Sequence, residues 1–388
     1  MKRRRLVICV LLLPLLGCTE DSAKQAFFRY DYATAVELYR PRAERFDKNF
    51  VLNNLNLGAS ALLAGDYADA RIGFDRATQI MYGYTGELRG NLSLVAAEDV
   101  KFFKGEPFEK AMASIYYGIL CYNRGEPDNA RASFSQALLA DTASQEGFRE
   151  DFALAHFLQA RAMLKMGGED DNTRIALEKA RKVYPQNAYF NFDVVRHSNL
   201  IVIVELGTAP IKTRTGLHGE YDTFVRCSYP EQGATVSLDG KLLGTAAKAV
   251  DLFQQAETRG SSGKDVAQGL KGGVKTGLLA AAWEQHNENR GSSALLLALI
   301  ALLIPAGADV RQWDLLPGEV HVFATTVPPG QHTLTLDFLG PNGQPLPRYQ
   351  QTWQGIVVSD TDDKLLLFRS GSDKPSGGIA NCESRIAN

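Results

Sequence analysis

The sequence predicts an α+β protein in which a helical half precedes a smaller, antiparallel β half. Between about residues 24 and 192, Ala, Leu and aromatic residues recur at helical spacing, and only four prolines interrupt them. From about residue 195 the pattern shifts towards a period of two, and β-branched residues and turns become common. The length of 388 residues allows two to three domains at roughly 150 residues each. We therefore expect a helical array at 24–192 and a β domain at 193–370.

The N-terminal segment has the features of an export signal. Four positive charges at residues 2–5 precede an apolar run from residue 6 to residue 16. Such a run is too short to cross a bilayer as a helix, which takes roughly twenty residues, so it predicts a secretory signal. The following Gly17 and Cys18 complete a pattern that resembles the bacterial lipobox, which implies cleavage before Cys18 and acylation of its thiol. A soluble signal with a chance cysteine, or an uncleaved anchor, is the alternative.

The lipobox resemblance implies a location in the bacterial cell envelope. We expect a signal at residues 1–17, a tether at 18–23 and permanent membrane attachment through the acyl chains on Cys18. Thr19 stands where an Asp would favour the inner membrane, so an outer-membrane location facing the periplasm is favoured. Loss of the four signal charges takes the net charge from −2 to −6. A mildly acidic chain lacks the basic field that nucleic-acid binding requires.

Three cysteines remain beyond the lipidation site, and they are Cys121, Cys227 and Cys382. An odd number in an oxidising compartment excludes complete pairing, and the wide spacing gives no metal-binding motif. We expect one disulfide or none, and the sequence does not decide which cysteines pair.

A pair of glycines seven residues apart recurs in the helical half, each time followed by a small and an aromatic residue. The two clear copies contain Gly58, Gly65, Ala70 and Phe74, and Gly118, Gly125, Ala130 and Phe134. A third copy surrounds Gly168, and a partial fourth lies at residues 30–39. The pattern resembles the tetratricopeptide repeat, a helix-turn-helix unit of about 34 residues. The turn glycines at 65, 125 and 168 are more widely spaced, which predicts insertions, the largest at about residues 83–112.

Three other segments resemble a family of largely uncharacterised bacterial lipoproteins that carry tetratricopeptide repeats. They are residues 103–111 (FKGEPFEKA), 206–212 (LGTAPIK) and 309–317 (DVRQWDLLP). The resemblance covers most of residues 20–370, and it implies a role in the cell envelope, with cell-wall assembly as the suggested process. Within the third segment, alternating Asp309, Arg311 and Trp313 favour a buried structural ion pair under an aromatic ring over a ligand site.

The β half contains three alternating segments, at residues 235–241, 333–338 and 364–369. Asp239 and Gly240 predict a hairpin turn within the first of them. Residues 327–332 (VPPGQH) resemble the turn of the PEGA-type β-sandwich module found in surface proteins. Helical sequence at about 246–308 interrupts the β pattern, and residues 371–388 predict a polar disordered tail.

The interrupting segment includes an uncharged stretch at residues 294–304. Eleven residues before Pro305 are too few to span a membrane. A buried helix is favoured because interfacial helices normally carry a basic face, which this one lacks. A helix that faces a membrane or a partner, paired with residues 277–282, remains the alternative.

Motifs for catalysis, metal binding and cofactor binding are absent from the sequence. The six histidines show no zinc-binding spacing. A Gly-rich stretch at residues 269–276 has Val274 where a phosphate loop needs a glycine. We therefore expect no enzymatic activity, no metal and no cofactor.

The leading hypothesis is a non-enzymatic outer-membrane lipoprotein that acts as a scaffold for a protein or peptide partner in the cell envelope. Repeat arrays present concave surfaces for such partners. The predicted groove lies on the first helix of each hairpin, where Asn56 and Tyr116 stand two residues before Gly58 and Gly118. A solvated helix face is the plainer interpretation of both residues. The alternatives are an envelope-remodelling enzyme, and a membrane-inserting assembly factor that uses residues 277–304.

Overall fold

The protein is described by a computed structural model that covers residues 21–83, 103–140, 151–168, 170–215, 221–258 and 309–371. It confirms the α+β class, because helices dominate the N-terminal part and strands the C-terminal part. Cys18, the apolar stretch at 277–304 and all but the first residue of the predicted tail lie outside the described residues. The same is true of Cys382.

The helical half consists of helices that pack as consecutive hairpins. The pairs α3–α4 and α5–α6 make the most extensive contacts, α2–α3 and α7–α8 follow, and α1–α2 forms a shorter pair before them. Their bounds are α1 Ser22–Phe28, α2 Tyr32–Ala43, α3 Phe50–Ala64, α4 Tyr67–Gly83, α5 Pro107–Asn123, α6 Pro127–Ala140, α7 Ala153–Lys165 and α8 Asp170–Val183. The four predicted helix pairs are therefore present.

Glycines permit both the turns and the close helix crossings. Gly65 and Gly125 follow α3 and α5 with φ of +77°, the left-handed conformation in which a glycine ends a helix without strain. In the third hairpin this conformation falls on Gly167 rather than on the predicted Gly168. Within the second hairpin, a Cβ on Gly118 would lie only 2.4 Å from the ring of Phe134. The first glycine of each pair therefore lies where the two helices cross, and the second, seven residues later, lies in the turn after the first helix.

Helix α5 begins earlier than the sequence predicted. Residues 107–112 were expected to belong to an insertion, but Pro107 is the first residue of the helix. Proline suits this position because its missing N–H would have no partner there, and Glu106 and Glu109 form a capping box around it. The proline therefore starts a helix and does not mark a loop.

The described strands of the β half form two four-stranded sheets and one separate hairpin. The sheet orders are β10-β1-β7-β6 and β5-β4-β8-β9, and β2 pairs with β3. The strands are β1 Leu200–Leu206, β2 Ile211–Thr215, β3 Tyr221–Val225, β4 Gly233–Leu238, β5 Lys241–Thr245, β6 Ala247–Asp251, β7 Glu319–Thr325, β8 Gly330–Leu339, β9 Gln351–Val358 and β10 Leu365–Arg369. Two short helices flank them, α9 Phe192–His197 and α10 Leu252–Thr258.

Two expectations for the β half need correction. The domain is not wholly antiparallel, because β1 pairs with β10 in parallel. Residues 247–251, placed by the sequence in the helical interruption, form the edge strand β6. The predicted hairpin is confirmed, since Asp239 and Gly240 connect β4 to β5 with φ of +51° and +77°.

Strand β1 lies at the centre of a three-layered core. Its residues are buried on both faces, so it reads as a continuous apolar run and not as an alternating one. Ile201 and Ile203 belong to the core shared with the helices, whereas Val202 and Val204 belong to the core shared with the second sheet. The first sheet is thus enclosed between the helical array and the second sheet.

The crossing in the second hairpin can be tested with Gly118→Ala. We expect a loss of about 1–3 kcal/mol in the free energy of unfolding, because the methyl group overlaps the buried ring of Phe134. This loss would occur although Ala has the higher helix propensity by about 1 kcal/mol. Urea denaturation measures the change, with Gly233→Ala as the control because nothing lies within 4 Å of its added Cβ. Equal stabilities of the two variants would contradict the packing described.

Candidate functional site

The inner face of the helical array is filled by the chain's own β half. Tyr116 on α5 is only 3% exposed. Its hydroxyl donates a hydrogen bond to Glu205 of β1, and its ring meets Trp313 edge-on at 5.7 Å between centroids. The prediction that Tyr116 lines an open partner groove is therefore wrong, because the first sheet and the segment before β7 occupy that position.

Asn56, the other predicted groove residue, is half-buried on α3. Its side-chain oxygen is buried and accepts no hydrogen bond from any residue that the structure describes. The neighbouring Asn54 is fully buried and donates to the carbonyls of Ala43 and Phe50, which ties α3 to the end of α2. The described contacts at this part of α3 are thus within the helical array.

A buried ion pair between β1 and β10 lies where the β half meets Tyr116 of the helical half. The guanidinium of Arg369 lies 3.2 Å from the carboxylate of Glu205, and both side chains are at most 3% exposed. Arg369 also donates to the carbonyls of Leu316 and Gly207, at 3.0 and 3.3 Å. Burial raises the pKa of Glu205 above its ordinary value, and the positive charge of Arg369 opposes that rise.

Arg369 also contacts helix α1. Its guanidinium carbon lies 5.2 Å from the ring centroid of Phe27 and 5.4 Å from that of Phe28, both on α1. Such cation–π contacts are strengthened when the cation is removed from water. One side chain on the last strand therefore contacts the first helix, the central strand and the segment before β7.

A second polar contact fastens the far end of α5 to β10. The hydroxyl of Tyr122 donates to Asp363 at 2.5 Å, and Arg161 of α7 pairs with the same carboxylate at 3.1 Å. Asn123 both donates to and accepts from the backbone of Leu365, at 2.9 and 2.8 Å. This amide mimics a neighbouring strand and fixes where β10 begins.

The three segments that carry the lipoprotein resemblance meet in one buried cluster. The backbone N–H of Trp313 donates to Glu109 at 2.6 Å, which joins residues 309–317 to residues 103–111. Lys212, from residues 206–212, pairs with Glu106 and lies 2.9 Å from Asp222. Segments some 100 to 200 positions apart in the sequence thus serve one contact between the two halves.

The pKa values of Glu109 and Lys212, which hold this cluster together, are raised for different reasons. Burial raises the pKa of Glu109 to about 7, although the N–H groups of Glu106 and Trp313 donate to it. Burial would lower the pKa of Lys212, but the negative charges of Glu106 and Asp222 outweigh it and raise the pKa. Lys212 therefore stays charged, whereas Glu109 changes its protonation near neutral pH.

The trio at residues 309–313 has the predicted structural role. Arg311 and Asp309 form a two-pronged ion pair, with nitrogen–oxygen distances of 3.0 and 2.7 Å. Arg311 also donates to the carbonyl of Lys48, which attaches the segment to the helical array. Trp313 beside it is 1% exposed. The ion pair therefore holds the segment in place and leaves no open ligand site at its guanidinium.

The β half also contains a titratable cluster at the β6–β7 edge. Glu319 contacts Lys248 at 2.7 Å and His321 at 3.1 Å, and Arg226 lies 2.8 Å from Asp251. Burial alone would raise the pKa of Glu319, but hydrogen bonds from His321 and Lys248 hold it below its ordinary value. Glu319 and Asp251 already contact Lys248 and Arg226, so the arrangement stabilises the sheet edge and offers no poised acid or base.

An open groove lies on the other side of the array, between α6, α7 and α8. Its volume is about 510 Å³, within the range of ligand-binding clefts. Leu139 and Ile175, from α6 and α8, are 66% and 52% exposed, so the groove presents two large apolar side chains to solvent. The lining residues are Arg131, Ser135, Leu138, Leu139, His156, Gln159, Met163, Asn172, Ile175, Ala176 and Lys179.

Helical periodicity places these groove residues together. On α6, residues 131, 135, 138 and 139 recur every three or four positions and so share one face. Residues 172, 175, 176 and 179 do the same on α8. Between them, Gln159 of α7 donates to the hydroxyl of Ser135 at 2.8 Å, which forms a polar floor. The groove was not predicted from the sequence, because the exposure of Leu139 on α6 and Ile175 on α8 depends on which helices pack beside them.

The charge of the groove is positive. Arg131 and Lys179 line it, and no carboxylate of the described chain does so. Arg131 forms no ion pair or side-chain hydrogen bond, a statement that holds for the described residues. The groove therefore combines apolar surface with the unpaired guanidinium of Arg131, on a protein whose net charge is negative.

Comparison with known protein families and with curated proteins finds no match to this sequence. Within the described ranges, no helix has the length and apolar character needed to cross a bilayer. In the same ranges, no three or more His, Cys, Asp or Glu side chains converge as a metal site would require. The outer groove is therefore the candidate functional site that the geometry supports.

The cysteines differ in state. Cys121 on α5 is a free, buried thiol, and burial raises its pKa to about 11, which makes it unreactive. Cys227 is disulfide-bonded. One disulfide is thus present, within the range that the sequence allowed.

The interface ion pair can be tested with Arg369→Met, which keeps the volume and removes the charge. We expect a loss of about 3–5 kcal/mol in the free energy of unfolding, because Glu205 is left buried without its partner. Adding Glu205→Gln should recover part of this loss, since the uncompensated charge is then gone. Urea denaturation measures both values.

The matched control is Arg76→Met, which breaks the exposed pair between Arg76 and Glu44. Its cost should stay within about 1 kcal/mol, as for other surface ion pairs. Similar costs for the two Arg→Met variants would show that the Arg369 pair does not hold the halves together.

The raised pKa of Glu109 predicts a pH-dependent stability. A carboxylic acid whose pKa is higher in the folded state binds protons more tightly there. Its contribution therefore falls as the pH rises from about 4.5 through about 7, and is constant outside that window. We expect urea denaturation to show that Glu109→Gln has a smaller loss of stability between pH 5 and pH 8 than the wild type, by roughly 2–3 kcal/mol. Parallel pH profiles would contradict the raised pKa.

Proposed function

We propose that this protein is an outer-membrane lipoprotein of a bacterial cell envelope that holds a partner protein at its outer helical groove. The observation that carries the proposal is the groove of about 510 Å³ between α6, α7 and α8, with its exposed Leu139 and Ile175. Exposed apolar side chains around a concave surface are typical of protein-binding sites. Scaffolding in the cell envelope, with cell-wall assembly as the process, is the role that this surface would serve.

Two features support the location. The lipobox-like sequence before Cys18 implies a lipid anchor on the exported chain. The disulfide at Cys227 is consistent with an oxidising compartment such as the periplasm, since structural disulfides are rare in the cytosol. The two features are independent, because one depends on the N-terminal signal and the other on the β half.

The packing of the two halves supports a rigid scaffold. Contacts from Arg369, Tyr122 and Glu109 attach the β half to α1 and α5. A helical array held in one curvature has a preformed outer groove, and binding to a preformed surface costs less ordering entropy. The β half thus acts as an internal brace and does not leave the concave face open for a partner.

The two alternative functions have less support. An envelope-remodelling enzyme would need a cleft with poised titratable groups, and the cluster around Glu319 has its charges paired. An assembly factor that inserts residues 277–304 depends on a segment outside the described residues. The scaffold proposal is the one that rests on described geometry.

The proposal predicts a contact in cells that depends on both the groove and the anchor. Ile175 is replaced by photoreactive benzoylphenylalanine, and irradiated cells are fractionated into membrane and soluble parts. We expect a cross-linked adduct with an envelope protein in the membrane fraction. In a Cys18→Ser background, the protein should leave the membrane fraction and the adduct should decrease.

The control places the same photoreactive residue at Ile72. This residue is 42% exposed on α4 and does not line the groove. An adduct of equal yield at both positions, or none at Ile175, would overturn the scaffold role. Continued membrane attachment of Cys18→Ser would overturn the lipid anchor.

A further inference from the structure

The outer groove has a chemical character that restricts which partner it can hold. It is apolar along its length, through Leu138, Leu139, Met163 and Ile175, and its charged lining residues are cations. A purely apolar partner would leave the guanidinium of Arg131 without a counter-charge, and a basic partner would be repelled. The complementary ligand carries apolar side chains and carboxylates together.

We propose that the groove binds an acidic amphipathic segment of the partner protein, with apolar side chains against Leu139 and Ile175 and a carboxylate on Arg131. This inference rests on the proposed function and names the chemistry of the partner. A guanidinium can hold a carboxylate through two parallel hydrogen bonds, so Arg131 adds orientation as well as attraction. Lys179 adds a second positive charge on the opposite helix.

The shape of the groove fits a segment and not a broad surface. A volume of about 510 Å³ between three helices accommodates a few side chains of one peptide, as when an amphipathic helix lies in a groove. Gln159 and Ser135 in the floor already pair with each other, so they remain satisfied when the groove is empty or filled. The apolar and cationic residues therefore carry the recognition.

The position of the groove also agrees with a partner from outside the chain's own core. Contacts that join the helical array to the β half include Tyr116–Glu205 and Tyr122–Asp363 from α5 and Arg161–Asp363 from α7. The groove is lined mainly by α6 and α8, the second helices of their hairpins. Occupation of the groove would then leave the interface with the β half intact.

The test uses the full chain, purified in a mild detergent, and two fluorescein-labelled peptides of about fourteen residues, or four helical turns. Both peptides carry Leu at helical spacing, and their other positions are mainly Glu in one and Lys in the other. We expect fluorescence anisotropy to show saturable binding of the acidic peptide and weak binding of the basic one. Because surface charges are screened over about 10 Å at 0.1 M salt, the preference should shrink as salt is added.

Two substitutions separate the apolar and the charged contributions. Ile175→Asp should weaken binding of the acidic peptide by at least about tenfold, because it removes apolar burial and adds a like charge. Arg131→Glu should weaken it by about fivefold and strengthen binding of the basic peptide. Ile72→Asp, the same change at an exposed residue outside the groove, should leave both affinities unchanged.

Several outcomes would overturn the inference. Equal binding of the two peptides, binding that survives Ile175→Asp and Arg131→Glu, or binding of neither peptide would each do so. A dimer in analytical ultracentrifugation that Ile175→Asp dissociates would identify a second copy of the chain as the occupant instead.

The result is distinguishable from that of the cross-linking experiment. An adduct at Ile175 in cells without binding of the acidic peptide would leave the scaffold role standing and remove the acidic partner. Binding of the acidic peptide without an adduct in cells would support the ligand chemistry of the groove and overturn the scaffold role.

Discussion

The buried pair of Arg369 and Glu205 is the interaction on which the arrangement of the two halves depends. A charge taken out of water is costly unless it is paired and hydrogen-bonded, and here both partners are nearly inaccessible. Arg369 meets that requirement only when three parts of the chain are in place together: the central strand β1, the carbonyls before β7 and the aromatic rings of α1. The pair therefore gives little net stability of its own but strongly disfavours any other docking of the β half.

That docking changes what the helical array can do. In this chain the first β sheet and the segment before β7 pack against α5, so that face of the helical array is closed to a partner. The apolar run of β1 reflects this, because it is buried by helices on one side and by the second sheet on the other. An open groove lies elsewhere on the described helices, where Leu139 and Ile175 are exposed and Arg131 is unpaired among the described residues. The β half thus determines both the rigidity of the scaffold and the side on which a partner can bind.

Local physics made much of the helical half predictable from sequence. The glycines at 58, 65, 118 and 125 encode crossing points and left-handed turns that no other residue type satisfies as well, so the hairpins could be placed from spacing alone. The Asp239–Gly240 turn was predictable for the same reason. The start of α5 at Pro107 lay inside the predicted insertion, because a proline fits both a loop and the first turn of a helix. The capping box of Glu106 and Glu109 decides between the two. The strand at 247–251 was missed because its pairing partner β7 lies some 70 residues further along the chain.

The sequence by itself determined the α+β class and the helical hairpins, and it predicts an export signal with a candidate lipid site at Cys18. These features are encoded by residues close together in the chain, whose backbone preferences and periodicities act locally. Only the tertiary structure decided that Tyr116 is buried against Glu205, that three distant segments meet at Glu109 and Lys212, and that the open groove lies between α6 and α8. The reason is physical: the exposure of a helix face depends on what packs against it, and here the packing partner lies some 90 to 240 residues away in the sequence.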